Sequence, residues 1–168
     1  MKIAPLLSIA LVLSPTLHAG DKDKPSSPIV IPLTGTGQAT TSKFGNSYIT
    51  RASGQSFTTT QFGSSTVTRD SKGNTWTTTK LGNSYVTRGP DGQQQTTSKL
   101  GNSFVTRDNK TGSTLTTSPL GNSLQTRSNS GASWSTSQFG SSLVTRGSSS
   151  SVKKDDKATR VIVIPCAK

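Results

Sequence analysis

The stretch Thr75-Trp76-Thr77-Thr78-Thr79-Lys80-Leu81-Gly82-Asn83-Ser84-Tyr85-Val86-Thr87-Arg88 is two β-favouring runs folded about a Gly-Asn pair. A two-residue loop with glycine first suits a type II′ hairpin, because the first loop position takes a positive φ that a Cβ opposes. With that loop, Leu81 faces Ser84, Lys80 faces Tyr85, Thr79 faces Val86 and Thr78 faces Thr87. Thr and aromatic residues on both arms fit a pleated, half-buried surface.

The same phrase occurs six times, with turn glycines at Gly45, Gly63, Gly82, Gly101, Gly121 and Gly140, each 18 to 20 residues after the last. In the second and sixth copies the loop is Gly-Ser, which keeps the turn. A unit of this length cannot bury an apolar face alone, so neighbouring copies must pair or stack.

Between copies the chain reads Ser53-Gly54, Ser71-Lys72-Gly73, Pro90-Asp91-Gly92, Asn109-Lys110-Thr111-Gly112 and Asn129-Ser130-Gly131. Most of these suit a type I turn closed by a left-handed glycine. Their lengths differ, yet they bring Thr50 opposite Phe57, Thr68 opposite Trp76, Thr87 opposite Gln95, Thr106 opposite Leu115 and Thr126 opposite Trp134. A slip of one residue would move every side chain to the other face, so this agreement fixes the phase of the whole ribbon.

The fold expected is all-β: an antiparallel up-and-down meander of about twelve short strands from six tandem hairpins. One face carries Phe57, Trp76, Leu115 and Trp134, the row Tyr48, Tyr85, Phe104, Leu124 and Leu143, and intervening Thr and Lys. The other carries Phe44, Phe62, Leu81, Leu100, Leu120 and Phe139, the Ile49/Val67/Val86/Val105/Val144 row, and six arginines. Both faces are mixed, so the pattern describes a thin twisted sheet without deciding whether it stays open, curls or closes. An open sheet would leave edges able to recruit another chain. A parallel solenoid is the rival, but it would stack the arginines at strand spacing, about 4.8 Å apart, which is repulsive.

The flanks divide as follows. Residues 1–19 have a basic start, an apolar run from Ile3 to Leu13 and Ala19 before a cut, the form of a secretory signal too short to span a bilayer as a helix. Residues 20–37 are a charged, proline-bearing linker with an apolar strand at 29–31, and the repeat domain is 38–146. Residues 147–160 form a Ser/Lys-rich linker, and 161–168 an apolar strand and tail. The segments Ile29-Val30-Ile31-Pro32 and Val161-Ile162-Val163-Ile164-Pro165 are near copies. They read as edge strands ending the sheet, or as strands pairing with each other and so closing the sheet, or with a neighbouring molecule. Cys166 stands alone, which leaves a free thiol or an intermolecular disulfide.

The chain is strongly basic, with 19 Lys and Arg against seven acidic residues, and only 28% is hydrophobic. Removal of residues 1–19 takes the single His, all seven acids are Asp, and Cys166 lies in the tail, so no nucleophile-base arrangement can be assembled. Asp70, Asp91 and Asp108 occupy turns, where Asp bonds its own backbone. No catalytic residue, metal site or cofactor is expected, and no small-molecule substrate or membrane span after signal removal.

Arg51, Arg69, Arg88, Arg107, Arg127 and Arg146 share one face and one end of their strands, with Lys43, Lys80 and Lys99 on the opposite face. Such a row either keeps the sheet soluble or binds a polyanion: extracellular nucleic acid, lipopolysaccharide or a wall polymer. Trp76, Tyr85, Phe104 and Trp134 could stack on sugars or bases, or pack the sheet. Thr58, Thr77 and Thr116 recur regularly enough to raise an ice- or crystal-binding surface as a third function.

At repeat level, residues 38–146 resemble the strand-turn-strand copies of curlin-type amyloid subunits, which also carry a secretory signal. They also resemble the Gly-Asn turns and Thr-rich strands of YD-type repeats in Rhs shell proteins. The regularly placed glutamines of curlins are missing, the Thr-Arg ending is foreign to them, and the Tyr-Asp pair of the second group is absent. The curlin resemblance implies a self-assembling extracellular fibre subunit. The sequence-based expectation is a secreted, periplasmic or cell-surface structural or adhesive protein, its partner itself or an anionic surface polymer.

Overall fold

A computed structural model describes residues 29–33, 37–52, 54–149 and 160–164. The proposed signal at 1–19, most of both linkers, Cys166, and the acids Asp21, Asp23, Asp155 and Asp156 lie outside the described residues.

The chain forms an antiparallel meander. After β1 (Ile29–Leu33), the six copies give β2 (Gln38–Phe44) and β3 (Ser47–Ala52), β4 (Gln55–Phe62) and β5 (Ser65–Asp70), and β6 (Thr75–Leu81) and β7 (Ser84–Arg88). They continue as β8 (Gln94–Leu100) and β9 (Ser103–Asp108), β10 (Thr114–Leu120) and β11 (Ser123–Ser128), and β12 (Ala132–Phe139) and β13 (Ser142–Ser149). β14 (Arg160–Ile164) ends the described chain. The hairpin pairings expected about Gly82 are all present. So are the five copy-to-copy pairs, from Thr50–Phe57 to Thr126–Trp134. The rival stacked solenoid does not form, since every pairing is antiparallel.

The turn chemistry follows the glycines. Gly82 opens its two-residue loop at φ +58°, and its five counterparts lie between +55° and +59°. The glycines closing the copy-to-copy turns take φ from +69° to +92°. Around them Asp70 accepts the backbone N–H groups of Lys72 and Asn74 at 2.9 and 2.8 Å, and Asp108 those of Lys110 and Thr111 at 2.9 and 2.8 Å. Desolvation pushes the Asp70 carboxyl upward, but hydrogen bonds from the Asn74 side chain and from these two N–H groups, with the Lys72 charge, hold it below its ordinary value. At Asp108, desolvation is likewise outweighed, by bonds from Thr111, Lys110 and the Gln95 side chain, and the net direction is again down. Both acids serve turns.

The question the alternation left open has a definite answer: the sheet closes. β13 pairs with β2, from Ser142 opposite Ser42 to Arg146 opposite Gln38, and β2 to β13 become a twelve-stranded barrel. The face carrying Phe57, Trp76, Leu115 and Trp134 turns inward. The face carrying the arginines and the Phe44 row turns outward. Closure removes the two open edges that a flat meander would expose.

Closure also explains how a chain so poor in apolar residues has an interior. Among the described residues, sixteen of the buried side chains are polar or charged, most of them threonines. Each hairpin contributes one buried Thr–Thr bond at 2.8–2.9 Å: Thr41–Thr50, Thr59–Thr68, Thr78–Thr87, Thr97–Thr106, Thr117–Thr126 and Thr136–Thr145. On the outer face, each junction between hairpins has its own hydroxyl bond at 2.7–3.0 Å. All twelve strand interfaces therefore carry a hydroxyl–hydroxyl bond, alternately inside and outside.

Apolar side chains pack on both sides of the threonine ring. Trp134 clusters with Leu115, Ala132 and Leu143, with Tyr48 and Leu124 against them. Phe57 meets Trp76 in a tilted ring contact, centroids 6.1 Å apart. Trp76 also lies so close to the β7–β8 connection that a Cβ on Gly89 would stand 2.7 Å from its Cδ1, so glycine is required there for space.

The near-identical terminal segments pair with each other, Ile29 opposite Ile164 through Leu33 opposite Arg160. They form a separate two-stranded ribbon, with β1 lying against β3 and β4. They do not close the main sheet; β2 and β13 do that. The strands also run past the boundaries the sequence suggested, β1 to Leu33 and β13 to Ser149.

Candidate functional site

The outer face of the barrel is banded because each repeat places the same residue type at the same height. Arg51, Arg69, Arg88, Arg107, Arg127 and Arg146 are all exposed on it, one per hairpin. Cross-strand neighbours on either side are hydroxyls or amides. Arg69 lies between Thr58 and Thr75, Arg88 between Thr77 and Gln94, and Arg107 between Thr96 and Thr114. Because closure joins β13 to β2, Arg146 continues the row round to Arg51, and the strip becomes a belt. Like positions recur every second strand, roughly 10 Å apart. That spacing lowers mutual repulsion and leaves each guanidinium able to meet a separate anionic group.

The basic groups do not converge on one surface. Lys43, Lys80 and Lys99 are inward-facing rim residues, each the second-last residue of its strand before the Gly-Asn turn, and all are exposed at the barrel mouth. Gln61 and Gln138 take the same place in the Gly-Ser copies and donate to the carbonyls of Gly63 and Gly140 at 3.1 and 3.0 Å.

The four aromatic residues that could have stacked beside the arginines, Trp76, Tyr85, Phe104 and Trp134, lie on the opposite, inward face. Trp76 and Trp134 are buried inside the barrel, so they pack and are not a stacking platform beside the belt. The threonine rank fares differently: Thr58, Thr77 and Thr116 face outward, but each stands opposite an arginine, at Arg69, Arg88 and Arg127. A flat hydroxyl array is interrupted at every second place by a guanidinium.

One outward band had no functional reading at the level of sequence. Phe44, Phe62, Leu81, Leu100, Leu120 and Phe139 form a crown at the hairpin rim. Phe44 is 76% exposed, and Leu81, the least exposed of the six, is 57%. The signal for it was legible, an apolar residue before the turn glycine in every copy. Its exposure depends on which face is concave, and that follows from closure.

Comparison with known proteins finds no matching family model, no matching curated protein and no matching solved structure.

Proposed function

We propose that this chain is a secreted, non-enzymatic structural or adhesive repeat protein of a bacterial envelope or extracellular matrix, acting through multivalent surface contact. The observation that carries this reading is the sixfold repetition of one outward surface around a closed barrel. Repetition converts a weak single contact into a strong multiple one whenever the opposing surface is itself repetitive. Self-assembly through sheet edges would fall to the β1–β14 ribbon, which is two-stranded and keeps both outer edges. Purified protein should adhere to a polymer-coated surface or form higher assemblies by sedimentation. A monomer that adheres to nothing and binds no amyloid dye would remove the proposal.

A second reading, polyanion binding, is favoured by the unbroken exposed arginine belt. Binding to single-stranded oligonucleotide or polyphosphate is expected to weaken steeply with salt, since each neutralised phosphate releases counterions. Successive Arg69→Gln, Arg88→Gln and Arg107→Gln changes should each lower the salt slope by about one. Equal affinity across that series would rule the belt out.

A further inference from the structure

We infer that the crowned end of the barrel docks onto an anionic lipid leaflet, the six Phe and Leu side chains entering the headgroup–acyl boundary around the rim while Lys43, Lys80 and Lys99 face lipid phosphates. This surface is distinct from the arginine belt and from the ribbon edges, and the inference rests on neither reading above.

The first support is placement. Each crown residue is the last of its strand before a two-residue turn, so closure sets all six at one level around one end. The remaining rim chemistry varies from copy to copy. The loop is Gly-Asn in four copies and Gly-Ser in two, and the inward neighbour is Lys, Gln or Pro. The crown position is always Phe or Leu. Exposed apolar groups gathered at one end of a soluble domain mark an interaction surface.

The second support is access. The chain enters the barrel at Gln38 and leaves it at Ser149, both at the end away from the hairpin turns. The crowned end is built from six two-residue turns, and the ribbon strand β1 joins the barrel through Gln38 at the other end, so a flat surface can approach the crown.

Charge selects the occupant. A second copy meeting rim to rim would set Lys43, Lys80 and Lys99 against the same three lysines. Side by side in the same orientation, two copies would bring arginine belt against arginine belt. A leaflet of anionic headgroups removes both conflicts, and the chain's formal charge of +12 draws it there. Docking is interfacial. The barrel strands run from five to eight residues, short of the roughly 9–11 a spanning strand needs, and on their outer faces beyond the crown the Ile49/Val67/Val86/Val105/Val144 row is followed by the exposed arginine belt with its Ser, Thr and Gln neighbours.

Vesicle sedimentation tests this with phosphatidylglycerol/phosphatidylcholine mixtures against phosphatidylcholine alone. The purified chain should bind the anionic vesicles. Phe44→Ser, Phe62→Ser and Phe139→Ser combined should cut partitioning about tenfold or more. Lys43→Gln, Lys80→Gln and Lys99→Gln should cut it about fivefold and flatten its salt dependence. The apolar run at residues 3–13, where retained, contributes equally to every variant, so the comparison isolates the crown. If the triple Phe variant loses its fold, Phe44→Trp serves instead, and its emission should shift to the blue on anionic vesicles only. Partitioning unchanged by the crown variants overturns the inference. So does loss on Arg69→Gln/Arg88→Gln/Arg107→Gln with the crown variants unaffected, or a native dimer that the crown variants turn into monomer without any lipid binding.

Discussion

Trp134→Ala should bring the barrel close to unfolding, costing about 3–5 kcal/mol, the usual range for removing a buried aromatic. Trp134 is 6% exposed and is the largest side chain of the larger apolar cluster, whose members and packed neighbours come from strands on both sides of the closure. Most other inward positions are threonines, so few side chains contribute the apolar burial that this interior needs. Against a total of about 5–15 kcal/mol the loss is large. A Tm drop of roughly 10 °C or more is expected by calorimetry. The change leaves Trp76 as the one tryptophan, so its blue-shifted emission reports the same transition independently. Phe44→Ala, the most exposed apolar position, is the control and should stay within about 0.5 kcal/mol of the parent. Equal, small effects from both would mean that the Phe57/Trp134 face is not the inside.

The phase of the strands was readable because short turns enforce it. Gly82-Asn83 sets Thr78 opposite Thr87, and Ser71-Lys72-Gly73 with its neighbours sets Thr68 opposite Trp76, without help from any distant contact. Closure is a different matter. Ser42 and Ser142 meet across a hundred residues of chain, and no turn joins their strands. The signal that could have found it lies in the outer hydroxyl ladder. Ser47–Thr60, Ser65–Thr79, Ser84–Ser98, Ser103–Ser118 and Ser123–Ser137 pair within the meander, leaving Ser42 and Ser142 as the unmatched first and last members. A ladder with one complementary member left at each end is a ring that has been written out as a line.

The candidate site was legible to the same depth. The arginine row follows from phase alone, and its six members appear together on one face as expected. The crown does not follow, because Phe44 and Phe57 are equally apolar and stand on opposite faces. Only curvature makes one exposed and the other buried. The same lack of a concave side left Trp76 and Trp134 open to a stacking role that burial removes.

The threonine ring makes the strongest claim about what holds such a polar interior together, and a double-mutant cycle tests it. Thr78 and Thr87 are 1% and 2% exposed, with their hydroxyls 2.8 Å apart. Thr78→Val alone keeps the β-branched shape but strands the Thr87 hydroxyl in the interior, and Thr87→Val does the converse. Each single change should cost about 1–3 kcal/mol, the desolvation penalty of an unpaired buried hydroxyl. Replacing both removes that penalty, so the double variant should be nearly as stable as the parent, or more so. The resulting coupling, on the order of 1–3 kcal/mol, is read from denaturant unfolding of the four proteins. The outer pair Ser84–Ser98, at 2.9 Å but only part-buried, should show little coupling, because either hydroxyl can turn to water when its partner is lost. Additive losses at Thr78 and Thr87 would mean that the inner hydroxyls find other partners. The six inner bonds would then be incidental to a barrel held by its backbone and its two tryptophans.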